Sequence, residues 1–225
     1  MPFSSVLGAS SVIKPGVCTS TTRPSVPYTG QLIFETDTSR LAVWTGSAWQ
    51  YETAAAGPPG LVYIAGASFS AVSSVSFPTN TFTSTYQNYK VTIQLTASSA
   101  TQTLSMRVNS AGSAVSGSLY FQSRMELNAA GSYLEIEDSS QTSVNINRVR
   151  GANILGNNTF DVFNPADSTL VTSWTFTGHG EAVSGNSSPT VGGGWYNSAA
   201  SHDGLNFFVA GTMSGYYRVY GYTDS

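Results

Sequence analysis

The sequence predicts an all-β protein: a small N-terminal β-hairpin module followed by a C-terminal antiparallel β-sandwich, jelly-roll-like in its connections. Three observations carry that expectation. From residue 61 onward apolar and polar residues alternate with period two. The clearest run has Tyr89, Val91, Ile93, Leu95 and Ala97 interleaved with Lys90, Thr92, Gln94 and Thr96, the mark of a strand with one buried face. Turn-forming residues recur at roughly ten-residue spacing between such runs, as they do in sandwiches. No segment carries the i, i+3, i+4, i+7 stripe of an amphipathic helix, and the short repeat of a parallel β-helix is missing.

Residues 1–22 are mostly small and polar, with Val6, Leu7, Val12, Ile13 and Val17 as scattered apolar points and Pro15-Gly16 interrupting any order. A flexible leader and an extended arm that orders along a partner fit this composition equally well. Residues 23–52 form the hairpin module. Leu32-Ile33-Phe34 and Leu41-Ala42-Val43-Trp44 are apolar runs separated by Asp37-Thr38-Ser39-Arg40, and Thr45-Gly46-Ser47 makes a second turn before Trp49 and Tyr51. A two-stranded hairpin cannot bury both faces. The apolar side chains Ile33, Phe34, Val43, Trp44 and Trp49 are therefore expected to meet other copies of the chain. Residues 53–60, Thr-Ala-Ala-Ala-Gly-Pro-Pro-Gly, read as a semi-rigid linker, and residues 61–225 as the sandwich.

Within the sandwich, Leu104, Met106 and Val108 alternate with Ser105, Arg107 and Asn109. Leu119, Phe121, Met125 and Leu127 share a face opposite Tyr120, Gln122, Arg124 and Glu126, and Leu170, Trp174 and Phe176 point opposite to Val171, Ser173 and Thr175. Further strands are expected at 61–65, 71–77, 134–138, 143–148, 158–163, 205–211 and 216–222. In the last of these, Tyr216, Arg218, Tyr220 and Tyr222 share one face. Tyr and Arg are enriched at protein interfaces, so Tyr216, Arg218 and Tyr220 are assigned to subunit contacts.

Charged residues make up 9% of the chain and the net charge is −3. Disorder goes with few aromatics and high net charge, whereas here aromatics reach 12%, so a folded chain is expected. Nucleic-acid binding needs a clustered basic face, and nine scattered Lys and Arg residues do not provide one. Cys18 is the single cysteine, which excludes an internal disulfide and a cysteine-based zinc site. The first residues lack the basic and apolar regions of a signal peptide. No run approaches the roughly 20 apolar residues of a membrane-spanning helix, so no membrane insertion is expected.

The module also carries a family resemblance. Arg23-Pro24, then Pro27-Tyr28-Thr29-Gly30-Gln31-Leu32-Ile33-Phe34-Glu35-Thr36-Asp37-Thr38, then Val43-Trp44-Thr45-Gly46 and Trp49, resembles a module common in structural proteins of tailed bacteriophages: tail fibres, minor tail proteins and related adhesins. Residues 69–77 and 82–91, with Gly211-Thr212-Met213-Ser214-Gly215 and Arg218-Val219-Tyr220-Gly221-Tyr222, are similar to the opening and close of the terminal domain of such proteins. Residues 97–160 carry no resemblance. The resemblance implies a virion protein made in the host cytoplasm, a homotrimer, with residues 1–22 attaching it to other virion proteins.

A glycan-cleaving enzyme would need two carboxylates at a defined separation. The candidates are Glu126, Glu135, Glu137, Asp138, Asp161 and Asp167, and the alternation of Glu135 and Glu137 with Leu134 and Ile136 places that pair on a solvent-facing strand surface. His179 and His202 have no serine nucleophile that can be tied to them, and no metal-binding or nucleotide-binding motif occurs. No enzyme activity, catalytic residue, cofactor or metal is expected. Binding remains. The stretch Val191-Gly192-Gly193-Gly194-Trp195-Tyr196-Asn197, followed by His202-Asp203, reads as a glycine-rich loop presenting aromatic faces and polar groups suited to a host-surface glycan. It nominates Trp195, Tyr196, Asn197, His202 and Asp203 as a receptor site. That Trp195 and Tyr196 are strand residues entering the core or a subunit interface stays open beside it. The function expected is an oligomeric tail fibre or minor tail adhesin, with a head fibre or capsid decoration protein that stabilises the particle as the alternative.

Overall fold

The computed structural model describes residues 15–51, 60–127, 132–149, 156–181 and 187–223. Most of the proposed arm and all but the last residue of the 53–60 linker lie outside the described residues. Every regular element among the described residues is a strand. The chain is all-β, a hairpin module ahead of a large antiparallel, sandwich-like domain. It divides into two compact units, residues 1–58 and 59–225.

The described residues of the first unit form a four-stranded sheet in the order β1-β2-β3-β4, made of β1 (Gly16–Cys18), β2 (Leu32–Glu35), β3 (Arg40–Trp44) and β4 (Trp49–Tyr51). The two apolar runs pair as expected, Leu32 opposite Val43 and Ile33 opposite Ala42. The turn at Thr45-Gly46-Ser47 feeds a third strand, which pairs Trp44 with Trp49. Gly46 has a φ of 102°, a left-handed conformation that glycine adopts without steric cost. Part of the expected arm, residues 1–22, falls among the described residues. Residues 16–18 form β1 and add in parallel to the free edge of β2, Val17 opposite Phe34. The Ser20 backbone N–H and hydroxyl then donate to the Asp37 carboxylate at 2.9 and 2.5 Å.

The buried centre of this unit is ionic as well as apolar. Ile33 and Ala42 are buried, and so is the Glu35 carboxylate. Arg23 Nε donates to Glu35 Oε1 at 2.5 Å, and the Tyr51 and Thr38 hydroxyls donate to Oε2 at 2.8 and 3.1 Å. Arg23 Nη2 also donates to the Tyr51 hydroxyl at 2.9 Å, and Arg40 lies 4.1 Å over the Tyr51 ring. A buried charge is tolerated only when paired and hydrogen-bonded. These partners meet that need and tie residue 23 to the sheet.

Among its described residues the second unit has eleven strands: β5 (Leu61–Ser76), β6 (Asn88–Ser98), β7 (Gln102–Ser110), β8 (Ser113–Ala114), β9 (Tyr120–Leu127), β10 (Tyr133–Gln141), β11 (Val144–Val149), β12 (Gly156–Phe163), β13 (Val171–Glu181), β14 (Ser187–Ala199) and β15 (Gly204–Tyr222). Their order is β10-β9-β14-β13-β12-β6-β15-β7-β11, with β5 on β15 and β8 on β7. The sheet curls into two layers because β15 serves both. Its first part, Gly204 to Phe208, pairs with β7, and its second, Met213 to Gly221, with β6. β5 follows the other edge of β15 through both parts, with a register break where β15 changes layers.

The core fills the space between the layers. Val91, Ile93 and Leu95 of β6, Phe160 and Val162 of β12, and Trp174 and Phe176 of β13 are all buried. They meet Met106 and Val108 of β7, Val144 and Ile146 of β11, and Phe207 of β15. Phe160 touches Phe207 with ring centroids 5.4 Å apart, and Phe77 stacks on Tyr217 at 4.5 Å. Such contacts hold the two layers together.

Three expectations change. The predicted strands at 61–65 and 71–77 are one strand, β5, with Ala71 at a φ of 52° marking a local irregularity. Those at 205–211 and 216–222 are likewise one strand, β15. In β9 the burial is inverted: Tyr120 and Gln122 are buried, while Met125 is 44% exposed and Phe121 only half-buried. Tyr120 wins the inner position because its hydroxyl is satisfied there, donating to the Val115 carbonyl at 2.7 Å and accepting from Val108 N–H at 3.1 Å.

Candidate functional site

The stretch Val191 to Asn197 is not a loop. It lies within β14, between β13 and β9. The three glycines serve close packing between strands: a Cβ on Gly194 would meet the Phe121 carbonyl at 2.1 Å, and one on Gly192 the Ser123 carbonyl at 2.7 Å. Strand alternation then sends Trp195 and Tyr196 to opposite faces.

Tyr196 enters the core. It is 6% exposed and meets Tyr120 and His202 edge-on, with centroids 5.0 and 5.1 Å apart. His202 is also buried, its Nδ1 2.7 Å from the Thr172 hydroxyl. Burial pushes its pKa down to about 4, only partly opposed by the neighbouring Asp203 charge. Asp203 Oδ2 accepts the Gly112 N–H at 2.8 Å, which fixes the tight turn between β7 and β8. Tyr196, His202 and Asp203 therefore stand among buried structural contacts, apart from Trp195. Asn197 is exposed, and its backbone N–H bonds to the Leu119 carbonyl.

Trp195 faces outward, 44% exposed. Its cross-strand partner is Phe121, and the two rings are stacked with centroids 5.5 Å apart and planes only 4° from parallel. The pair forms a flat aromatic surface along one side of a groove of about 670 Å³, lined also by Gln122, Ser123, Glu137, Asp138, Ser139 and Gly193. Ser123 lies opposite Gly193 on one side and Glu137 on the other, so the row beside the aromatic pair has a low floor. A Cβ on Gly193 would meet the Trp174 carbonyl at 2.9 Å, so glycine keeps that floor open. One row further along, Met125 and Val191 are exposed and line a second groove with Tyr133 and Glu135.

Charge in the groove is acidic. Glu137, opposite Ser123, supplies the carboxylate on this face, while Asp138 turns to the other face of the sheet, where its Oδ2 accepts from Gln122 Nε2 at 2.5 Å and from Arg124 Nη1 at 3.4 Å. Glu135 and Glu137 enter no ion pair among the described residues. The arrangement offers a planar apolar face beside hydroxyls and carboxylates. That combination can stack on the C–H face of a small polar molecule while accepting its hydrogen bonds. Phe121, Ser123, Glu137 and Gly193 were not among the nominated site residues. The period-two pattern showed Phe121 and Glu137 individually, but no local signal brings β9, β10 and β14 together.

The remaining candidate carboxylates are engaged elsewhere. Asp161 is paired with Lys90 at 3.1 Å and hydrogen-bonded by the Tyr222 hydroxyl, and Asp167 accepts from the Thr169 N–H and hydroxyl. Among the described residues no group of three or more His, Cys, Asp or Glu side chains could hold a metal ion, and no helix is long and apolar enough to cross a membrane.

The nominated interface residues fall into three places. Phe34 and Val43 lie on one face of the module sheet beside Leu32 and Leu41, with Val17 exposed on the adjoining strand. Ile33 is buried on the opposite face, where Trp44 and Trp49 pack on one another with centroids 5.5 Å apart. Tyr216, Arg218 and Tyr220 share the outward face of β15. Arg218 lies over the Tyr216 ring, Tyr216 is hydrogen-bonded to Gln94, and Tyr220 meets Tyr63 edge-on. Compared with known proteins, the chain matches no family model, no curated protein and no solved structure.

Proposed function

We propose that this chain is a structural protein of a tailed-bacteriophage virion, an oligomeric tail fibre or minor tail adhesin that is not an enzyme and binds the host cell surface through its sandwich domain. The observation that carries the binding role is the coplanar Phe121–Trp195 pair, exposed on a strand face beside an open polar groove. Large aromatic rings are buried when packing alone decides, and exposed ones edged by polar groups are typical of recognition sites. The virion assignment rests on the sequence of the hairpin module and on the two ends of the sandwich.

The module supplies the second part of the reading. Its outer face carries Leu32, Phe34, Leu41 and Val43 side by side, with Phe34 37% exposed. That face is the surface through which three copies associate, and the N-terminal arm, residues 1–22, attaches the chain to other virion proteins. The test is attachment. Phe121→Ala and Trp195→Ala each weaken adsorption to host cells by about 10-fold, the effect of removing one stacked aromatic from a binding site, while the particle assembles normally. Normal adsorption with fragile particles would replace the adhesin by a decoration protein.

A further inference from the structure

The long edge strand β5 carries few of the devices that keep sheet edges from pairing. It runs from Leu61 to Ser76 with the sequence LVYIAGASFSAVSSVS. One edge is bonded to β15, and among the described residues no strand pairs with the other. An unpaired edge presents a row of free N–H and C=O groups. Natural proteins guard such edges with charged side chains, proline, short length, bulges or a covering segment. β5 has no charge and no proline in sixteen residues, and it is among the longest strands of the chain. Among the described residues its guards are local register irregularities against β15, near Ile64 and around Ala71.

The side chains make close approach easy. Ala65, Gly66, Ala67 and Ser68 give the middle of the strand a low profile, and Gly66 can carry nothing larger because a Cβ there would meet the Tyr217 carbonyl at 2.7 Å. At the start of the strand Leu61, Val62 and Tyr63 are 46%, 41% and 57% exposed, three consecutive apolar residues at the free margin. A groove lined by Tyr63, Gly66, Ala67, Ser68 and Tyr216 runs beside them.

We propose that β5 pairs edge to edge with β5 of a second copy of this chain, antiparallel about a two-fold axis, over residues 61–70. The other outer edges of the same sheet decide the partner. The path ends at β10 and β11, and β10 carries Glu135, Glu137 and Asp138 while β11 carries Arg148. Those edges have charge guards and β5 does not, so among the described outer edges of this sheet β5 is the one suited to meeting its like. A two-fold pairing of identical edges closes on itself, joining two sandwiches without propagating into a fibre. It covers Leu61, Val62 and Tyr63 and satisfies the free backbone groups of both strands.

The inference does not depend on the virion reading. Association through the module alone gives three chains, the edge alone two, and both together six. The experiment is light scattering of the full-length chain and of a variant with Tyr63→Lys and Ser68→Lys, exposed positions that face one another across the two-fold. Repulsion across the two-fold halves the measured mass, from six to three or from two to one, with circular dichroism unchanged. The matching Tyr63→Glu, Ser68→Glu variant is halved as well, and mixing the two restores the wild-type mass. If the lysine pair does not fold, Ala67→Lys, an exposed position close to the two-fold, takes its place. A folded variant whose mass equals that of the wild type overturns the proposal, as does failure of the lysine and glutamate variants to recombine. A wild type of two chains that falls to one sustains the edge and removes the threefold module.

Discussion

Trp195 and Tyr196 are adjacent in sequence, and the structure assigns them opposite roles, which makes the pair of alanine substitutions a sharp test. Tyr196 is 6% exposed, wedged between Tyr120 and His202. Truncation leaves a closed cavity, and large-to-small changes of an aromatic in a core cost about 3–5 kcal/mol. Trp195 stands on an open face with solvent on one side, so its loss leaves no cavity. What disappears is chiefly the stack on Phe121, worth about 1 kcal/mol. For a domain of this size each kcal/mol moves the melting temperature by about 2–4 °C. Tyr196→Ala should therefore melt about 6–20 °C below the wild type and Trp195→Ala about 2–4 °C below it. Differential scanning fluorimetry separates these ranges. If Trp195→Ala melts as low as Tyr196→Ala, the ring is part of the core and the groove loses its aromatic wall. If Tyr196→Ala leaves the melt unchanged, the orientation of β14 is wrong.

Two further predictions concern pH. The Glu35 carboxyl is held below its ordinary value first by the hydrogen bond from Arg23, aided by Tyr51 and Thr38 and opposed by burial. Its contribution is fully present above the unfolded carboxylate's value near 4.5 and is lost as pH falls through the lower folded value. Fluorescence of Trp44 and Trp49, followed from neutral to strongly acid pH, should show the module opening, and Glu35→Gln should flatten that dependence. His202 is neutral in the fold because burial lowers its pKa to about 4. The unfolded chain binds a proton below 6.5, so stability is complete above that pH and declines between there and about 4. The loss at the low end amounts to about 3 kcal/mol at most. Urea titrations of wild type and His202→Gln across that window should differ in slope, and parallel curves would refute the assignment.

The strands were legible because their signal is local. In β6, β7 and β13 the alternating residues that the sequence marks as apolar are those the core buries, among them Val91, Ile93, Met106, Trp174 and Phe176. The same signal failed in β9, where both faces carry large side chains. The choice between Tyr120 and Phe121 is made by hydrogen bonds from Val108 and to Val115, residues on other parts of the chain. The candidate site was half legible for a similar reason. Trp195 stood out beside three glycines, but the glycines suggested a loop when they answer to the backbones of β9 and β13. Glu137 and Phe121 join Trp195 only through strand pairings that no spacing in the sequence encodes.

The position of β15 has a consequence for how the sandwich is made. β5 is the first of its strands and β15 the last, and they pair along most of their length. β15 is also the element that joins the β6 side of the sheet to the β7 side. During synthesis every strand from β5 to β14 is therefore exposed before the strand that unites them has left the ribosome. Long-range pairing of this kind is slow and leaves hydrophobic surface open while it waits. A chain truncated before Gly204 lacks the strand that pairs with β5, β6 and β7 at once, so the apolar faces of those strands stay open until β15 arrives.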